Sequence, residues 1–505
     1  MRRLARDVLL MALATGLSRV LGLVRDVAVA DRFGASAAYD AFVIAFFVPH
    51  FLRQLLAEGA LSTAIVPIYT DIGIDTGRED ADRFTSNLLS WLLILFPIVI
   101  LLGIVLAPCY VPFLASGFTP EKIELTTRLT RLLFPFIAAV GFAAVLMAVL
   151  NANRRFFVAS IAPVWFNIGM IAGILVIAPR FPAEPILGLV CGVLLGGVGQ
   201  LVSQTLGLSG LRFRFRFYLR PLHPGIARVI RRMVPALLAL AVAQINLLVD
   251  NKLASYLPDG GISALQYAMR LFQLPLGVFA VSIATALLPR FSEAESRGDT
   301  TRFRQYLMDG TLSGMLVILP AMTGLLLIGP DVIRLLFQHG SFDVSDTLRT
   351  ARALSFYLIG LLPYALVYIY SRALYAQGRT LRPVIASCAA VAINVTFDLL
   401  LIGPMKEAGL ALATALAGTV NAATLMIFLR SDFAWTSPRL RHMAHIATGT
   451  LLMAAAVWGT HRLAGESRWV TVIGPTCVGL VVFGIYSRWA GLWRLLGTPT
   501  HTTID

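Results

Sequence analysis

Long apolar runs recur along the whole chain, and they constrain its fold more than any other feature. A helix of roughly 20 apolar residues crosses a hydrocarbon core of about 30 Å, and the chain holds fourteen such runs. A segment in lipid must satisfy its own backbone polar groups, so each run is predicted to be an α-helix. With 57% hydrophobic and 14% charged residues, the composition excludes a soluble protein. The predicted spans are 8–31, 38–69, 86–113, 124–150, 157–179, 184–208, 226–256, 262–289, 304–329, 346–371, 382–403, 407–429, 440–461 and 469–487.

The chain also resembles itself at an offset of about 222 residues. "AIVPIYTD" at 64–71 returns as "ALLPRFSE" at 286–293, and the register holds across six spans. Because six is even, both repeats enter the membrane in the same direction. We therefore predict an all-α polytopic membrane protein with 14 transmembrane helices, in which two parallel six-helix bundles (spans 1–6 and 7–12) precede two extra helices. The predicted domains are 1–210, 211–432 and 433–505. Duplication in a purely structural membrane protein is the alternative.

The net charge of +15 is distributed unevenly between alternate loops. If the N-terminus is inside, most arginines face the cytoplasm, which predicts that both termini are cytoplasmic. The segment "LRFRFRFYLRP" at 211–221 interleaves basic and aromatic residues, and we interpret it as an interfacial strip against anionic lipid rather than as a nucleic-acid site. The segment "SRWAGLWRLLG" at 487–497 is predicted to be an amphipathic helix on the inner leaflet.

Charged residues interrupt the first span in the stretch "GLSRVLGLVRD" at 16–26. At 100° per residue, Ser18, Arg19, Arg25 and Asp26 fall on one arc of about 120°. Apolar side chains cover the rest of the helix surface. This span is therefore predicted to aim its charges inward and to present an apolar back to lipid or to neighbouring helices.

Further charges are predicted inside the membrane. Asp40, Arg53 and Glu58 belong to the second span, and Arg270 belongs to the eighth. Each arginine would cost about 2.5–3.5 kcal/mol at mid-bilayer, so Arg19, Arg25, Arg53 and Arg270 are expected to share a hydrated cavity between the bundles. Guanidinium forks suit phosphate oxygens, which makes a diphosphate the natural ligand. The alternative is that these arginines only pair with carboxylates to hold helices together, but the carboxylates are too few for all four.

These motifs resemble a known family. "SRVLGLVRD", "FGASAAYDAF", "VPHFLRQLLAEGA", "IVPIY", "YAMRLFQLPLGVF", "LLPRFSE" and "RALYAQGRTLRP" are together similar to the MurJ (MviN) lipid II flippases of the multidrug/oligosaccharidyl-lipid/polysaccharide exporter superfamily. The resemblance covers spans 1–12. Two positions depart from the family pattern: His50 replaces the usual asparagine, and Met269 replaces an acidic residue that often precedes the arginine of the eighth span.

The resemblance implies a bacterial inner-membrane protein that moves lipid II, the undecaprenyl-diphosphate-linked peptidoglycan precursor, to the periplasmic leaflet by alternating access. It implies a transporter and not an enzyme. The implied substrate-binding residues are Ser18, Arg19, Arg25, Asp26, Asp40, Arg53, Glu58 and Arg270. The partners expected beside lipid II are membrane lipids and cell-wall synthesis enzymes, and we expect a monomer. An exporter of O-antigen or capsule lipid-linked oligosaccharide is the alternative function, because it too must bind diphosphate.

A second polar set lies in the second half of the chain. It comprises Asp250 in span 7, Asn394 and Asp398 four residues apart in span 11, and Thr414 in span 12. Oxygen ligands near a membrane interior suit Na⁺ or H⁺, and the resembled family has a sodium site at corresponding positions. We therefore expect Na⁺ or H⁺ as a coupling ion and no other cofactor. The alternatives are that these residues only join helices, or that the membrane potential drives transport.

Overall fold

The computed structural model describes residues 2–54, 60–211, 213–219, 221–465 and 467–495. For 2–9, 12, 60, 62–63, 235–243 and 245 it describes the backbone only. Regular structure in these ranges is entirely helical, and they contain no β-strand. The all-α prediction is therefore confirmed for this part of the chain. Glu58 lies outside the described residues.

The chain divides into two compact units, Met1–Gly260 and Gly261–Asp505. The helices of the first unit are α1 (Arg2–Phe33), α2 (Ala37–Arg53), α3 (Ala60–Asp75), α4 (Arg78–Leu114), α5 (Pro120–Leu133), α6 (Phe136–Ala152), α7 (Phe156–Ser160), α8 (Ala162–Ala172), α9 (Ile186–Gly207) and α10 (Pro224–Ala254). A π-helical segment, Gly173–Ile177, continues α8. Helix α1 packs against α8, and α8 packs against α9.

The second unit contains the remaining helices. They are α11 (Gly261–Pro275), α12 (Val281–Ser296), α13 (Thr300–Phe337), α14 (Val344–Ile359), α15 (Leu361–Ala376), α16 (Leu381–Met405), α17 (Glu407–Phe428), α18 (Ser437–Leu463) and α19 (Val470–Trp489). A π-helical segment, Leu276–Ala280, follows Pro275 and joins α11 to α12, since proline disrupts the regular backbone hydrogen-bond ladder. Helices α18 and α19 pack against each other and against α13.

Many of these helices can cross a membrane. Among the described residues, ten helical stretches are long and apolar enough, or eleven if α14 and α15, which meet at a bend of 43°, form one span. The chain is thus a multi-pass membrane protein. The other predicted spans fall on α1, on α2 with α3, and on α10, all of which include or adjoin residues that are only partly described. The count of fourteen stays a prediction.

The division into units differs from the division into repeats. Helix α10 packs against α3 and α4, so the first compact unit extends to Gly260 and not to residue 210. A boundary defined by packing and one defined by duplication need not coincide. The repeat-based domains 1–210, 211–432 and 433–505 stay a prediction.

Residues 213–219 and 221–223, before α10, form an irregular strap along the start of α4. Asn87 donates to the Tyr218 carbonyl at 2.8 Å and accepts from the His223 N–H at 3.0 Å, and Ser90 accepts from the Tyr218 N–H at 3.0 Å. These two α4 side chains are buried, so the polar groups of α4 are satisfied by the strap backbone. The arginines and phenylalanines of 214–217 remain exposed.

Close glycine contacts hold α8 against α9. A Cβ atom added at Gly169 would lie 2.3 Å from the Gly196 backbone nitrogen, and one added at Gly192 would lie 2.8 Å from the Gly169 carbonyl oxygen. Neither distance leaves room for a side chain. The sequence GGVGQ at 196–200 is therefore a helix-packing element. This contact fixes α8, which carries part of the candidate site.

Candidate functional site

Helix α1 has the two faces that its sequence predicts. Leu13, Leu17, Val20 and Val24 are exposed large apolar residues, and they lie on the side of the helix opposite the charged arc. On that arc Asp26 is buried, whereas Ser18 and Arg25 are partly buried. The helix therefore turns its apolar back away from the protein and several of its polar groups toward it.

Arg25 is the centre of a polar network between α1 and α8. Its Nε and Nη2 atoms donate to Asp26 Oδ1 at 2.9 and 2.6 Å, and its Nη1 donates to Asn167 Oδ1 at 3.0 Å. The Asn167 amide in turn donates to the Ser18 carbonyl at 3.0 Å. Asn167 is 5% exposed, so it serves as a buried bridge that orients the guanidinium group.

Arg53 approaches the same part of α8 from the end of α2. Its guanidinium carbon lies 5.9 Å from the centre of the Phe166 ring, within the range of a cation–π contact. Phe166 belongs to an aromatic cluster with Phe46 and Phe136, with ring centres 5.5–6.2 Å apart. These rings pack α2, α6 and α8 together and hold the Arg53 end of α2 next to α8.

Two of the four predicted arginines thus contact adjacent residues of α8. Arg25 contacts Asn167 and Arg53 contacts Phe166, although 28 positions separate the two arginines in the sequence. Arg19 is exposed on α1, one residue from Ser18. Arg270 is exposed near the end of α11, in the second unit. Its convergence with the other three arginines stays a prediction.

Asp40 lies in a different set of contacts. Its Oδ2 atom accepts from Lys122 Nζ at 2.9 Å and from the Gly260 N–H at 2.7 Å. Lys122 Nζ also donates to Asp259 at 2.7 Å and lies 4.1 Å from the centre of the Phe118 ring. Asp40 is 1% exposed and Lys122 is 7% exposed, so this is a buried ion pair. The assignment of Asp40 to substrate binding stays a prediction.

The sequence did not single out three residues of these networks. Lys122 lies between the predicted spans 86–113 and 124–150, and Phe166 and Asn167 lie within the apolar run 157–179. Asn167 carried one signal: it is an uncharged polar residue in the middle of the apolar run 157–179. Such residues in membrane helices commonly hydrogen-bond to a neighbouring helix.

Part of the second polar set comes together in the second unit. Asn394 Nδ2 donates to Asp398 Oδ2 at 2.5 Å, as their spacing of four residues allows. Both are buried, at 2% and 1% exposure, on α16, which packs closely against the Thr414-bearing helix α17. Asp250 accepts from Asn246 at 3.1 Å and lies in the first unit. Asn394, Asp398 and Thr414 have the oxygen atoms that an alkali cation requires.

A transition-metal centre has no counterpart in the part of the chain that the structure describes. No three His, Cys, Asp or Glu side chains gather there as metal ligands. The cysteines Cys109, Cys191, Cys388 and Cys477 are all free. The polar chemistry of these helices therefore consists of guanidinium, carboxylate, amide and hydroxyl groups.

Comparison with known proteins places the chain in a family. The family model described as lipid II flippase MurJ matches residues 29–477. A probable lipid II flippase MurJ from Vibrio cholerae is 31% identical, over 98% of this chain and 96% of the relative. A solved structure of lipid II flippase MurJ in an inward closed conformation is 28% identical, with a TM-score of 0.82 over 97% of this chain and 99% of that one.

A more distant structure shares the fold. An inward-facing multidrug resistance MATE family transporter of the MOP superfamily superposes with a TM-score of 0.68 over 82% of this chain and 94% of that one. Its identity of 17% supports a common fold and nothing more. The match over most of the chain, together with the relative above 30% identity, is what decides the family. The chain belongs to the MurJ family of lipid II flippases.

Proposed function

We propose that this protein translocates lipid II between the leaflets of the bacterial inner membrane by alternating access. Family membership supports the substrate, and it favours lipid II over the O-antigen or capsule lipids that carry the same diphosphate. The family name describes transport and not catalysis, in agreement with the prediction that the chain is not an enzyme. Both termini are proposed to lie in the cytoplasm, and a monomer and contacts with cell-wall enzymes stay predictions.

The meeting of Arg25 and Arg53 at adjacent residues of α8 carries the proposal for the headgroup site. Among the predicted site residues of the first unit, Arg19, Arg25 and Arg53 are positively charged and Asp26 is negatively charged, and Asp40 is bonded to Lys122. The formal sum of the charges of Arg19, Arg25, Arg53 and Asp26 is two positive charges, or one with Glu58. A diphosphate supplies negative charge and planar pairs of oxygens for guanidinium groups. We propose that Arg25 exchanges part of its bonding to Asp26 for phosphate oxygens when the headgroup binds.

Arg270, in the second unit, is proposed as a further phosphate-binding residue. Binding of the headgroup would drive transport through contacts that differ between two conformational states, because a ligand shifts a conformational equilibrium only in that way. Coupling to Na⁺ or H⁺ is proposed at Asn394, Asp398 and Thr414, with Asp250 as a predicted fourth member. The buried Asp398 supports this proposal, since buried carboxylates in membrane helices mark ion pathways.

Depletion and rescue test the headgroup site. Loss of the protein should cause lipid II to accumulate in the cytoplasmic leaflet, and the wild-type chain should reverse this. We expect Arg25→Ala and Arg53→Ala to fail to restore lipid II translocation. Each removes a charge-assisted contact worth about 1.5–3 kcal/mol, which weakens headgroup binding by roughly 10-fold to 100-fold. Asn167→Ala should reduce rescue less, because Arg25 would keep its charge and lose only its orienting amide.

Arg128→Ala is the matched control for the two arginine variants. Arg128 pairs with Glu184 at an exposed position of α5, away from the network around α8. It should rescue as well as the wild type. The proposal is wrong if Arg25→Ala and Arg53→Ala, expressed to the same level as Arg128→Ala, restore lipid II translocation equally well.

A further inference from the structure

The second unit contains a cavity that the proposed transport does not use. Its volume is about 460 Å³, and its walls come from α12, α13, the start of α18 and the segment after α19. The residues that define its chemistry are Ile283, Leu287, Arg290, Asp309, His442 and Arg494. The positive-inside pattern assigns this end of the unit to the cytoplasmic side.

The chain after α19 helps to form this cavity. The sequence predicts an amphipathic helix on the inner leaflet at 487–497, but α19 ends at Trp489 and a short 3₁₀ helix, Leu492–Leu495, follows. Leu492 is fully buried in a cluster with Leu312, Leu316 and Ile446, and Ser313 donates to the Leu495 carbonyl at 2.8 Å. The segment therefore packs onto α13 and α18, and Leu492 on its apolar side is buried against these helices.

The polarity of the cavity changes along one face of α12. Ile283, Leu287 and Arg290 are spaced by four and three residues, so they lie on the same side of the helix. The two apolar residues lie deeper in the span and the arginine lies near its end. The Arg290 guanidinium carbon lies 6.0 Å from the centre of the Tyr306 ring, which helps to position the guanidinium group. A phospholipid has the same order, with apolar chains below a charged phosphate.

The charged residues that line the cavity favour an anionic ligand. Arg290 and Arg494 line the cavity together with one carboxylate, Asp309, which interacts with Arg439, His442 and Arg290. The arginines around this carboxylate outnumber it. The His442 Nδ1 atom is buried and has no hydrogen-bond partner among the residues that the structure describes. A ligand oxygen would satisfy this atom, and buried polar groups rarely remain unsatisfied.

We propose that this cavity binds the phosphate headgroup of an anionic glycerophospholipid of the surrounding leaflet. Arg290 and Arg494 contact the phosphate, His442 contacts a further headgroup oxygen, and Ile283 and Leu287 line the start of an acyl chain. The site is distinct from the arginine network of the first unit. Its ligand is a resident lipid and not the transported molecule.

Lipid binding by the purified full-length protein tests this proposal. Native mass spectrometry would measure the retention of phosphatidylglycerol and of phosphatidylcholine in matched titrations. We expect a preference for phosphatidylglycerol that falls about fivefold for each arginine neutralised, in Arg290→Gln and in Arg494→Gln, since a basic residue near an anionic lipid contributes about 1 kcal/mol. Asp309→Asn should raise the preference by a similar factor, an effect of opposite sign that misfolding would not produce.

The control is Arg297→Gln, an exposed arginine at the same end of α12 that pairs with Glu293. It should retain the wild-type preference. An equal loss in Arg297→Gln would show diffuse surface attraction and overturn the proposal, as would equal retention of the two lipids. Competition distinguishes the possible sources of phosphate. Displacement of phosphatidylglycerol by inorganic phosphate at equal concentration would overturn the proposal. Displacement by lipid II that is lost in Arg290→Gln and Arg494→Gln would also overturn it.

Discussion

The buried pair between Asp40 and Lys122 makes a quantitative prediction about stability. Lys122→Met would leave the Asp40 carboxylate, which is 1% exposed, without its buried cation. Removing one member of a buried pair typically costs about 3–5 kcal/mol, because the remaining charge stays desolvated. We expect a loss in this range. Asp40→Asn should cost less, roughly 1–3 kcal/mol, because Lys122 keeps its contact with Asp259, which is 70% exposed at its side chain.

A double-mutant cycle separates the pair from other effects of each substitution. The variant carrying both Asp40→Asn and Lys122→Met has no buried charge at this position, so it should be more stable than the sum of the single losses predicts. The expected coupling is at least about 1 kcal/mol. The measurement is equilibrium unfolding in mixed detergent micelles, followed by tryptophan fluorescence.

Arg128 provides the matched control on the same helix. Its pair with Glu184 is about half-exposed on both sides, and exposed pairs contribute about 0–1 kcal/mol. Arg128→Gln should therefore change the free energy of unfolding by less than about 1 kcal/mol. The reasoning would be refuted if Lys122→Met were no more costly than Arg128→Gln, or if the two single losses simply added in the double variant.

Three further changes test other parts of the structure. Gly169→Leu should destabilise the first unit by about 3 kcal/mol or more in the same unfolding assay, because its Cβ would meet the backbone of α9. The control Gly16→Leu, at a position with open space around it, should not destabilise the protein. Asn87→Ala should speed limited trypsin cleavage at the exposed Arg214 and Arg216, since the strap loses two hydrogen bonds; unchanged cleavage would contradict this. Asp398→Asn should abolish any dependence of reconstituted transport on Na⁺ or pH, whereas Thr396→Ala on the exposed side of α16 should preserve it.

Local periodicity made much of the architecture predictable. In the described residues the apolar runs are helical, several of them as two consecutive helices, because lipid permits few other backbone structures. The order of the runs follows directly from the sequence. The two faces of α1 were also predictable, since the angle between residues of one helix depends only on their spacing. The same reasoning predicts that Asn394 and Asp398, four residues apart, lie on one face of their helix.

Partners on other helices could not be predicted in this way. Asp40 lies on the same predicted span as Arg53, but it pairs with Lys122, which is 82 positions away. Arg25 is oriented by Asn167, which is 142 positions away. The segment after α19 had the composition of an interfacial helix, and packing against α13 gave it another structure. None of these outcomes follows from spacing within one segment.

The sequence by itself determined that this protein is a polytopic helical membrane protein and which side of each helix is polar. Only the tertiary structure decided which helix each polar side meets, and so which charges pair and which remain for a ligand. The physical reason is that a buried charge must find a partner, whereas the identity of that partner depends on contacts between helices that a periodic pattern leaves open.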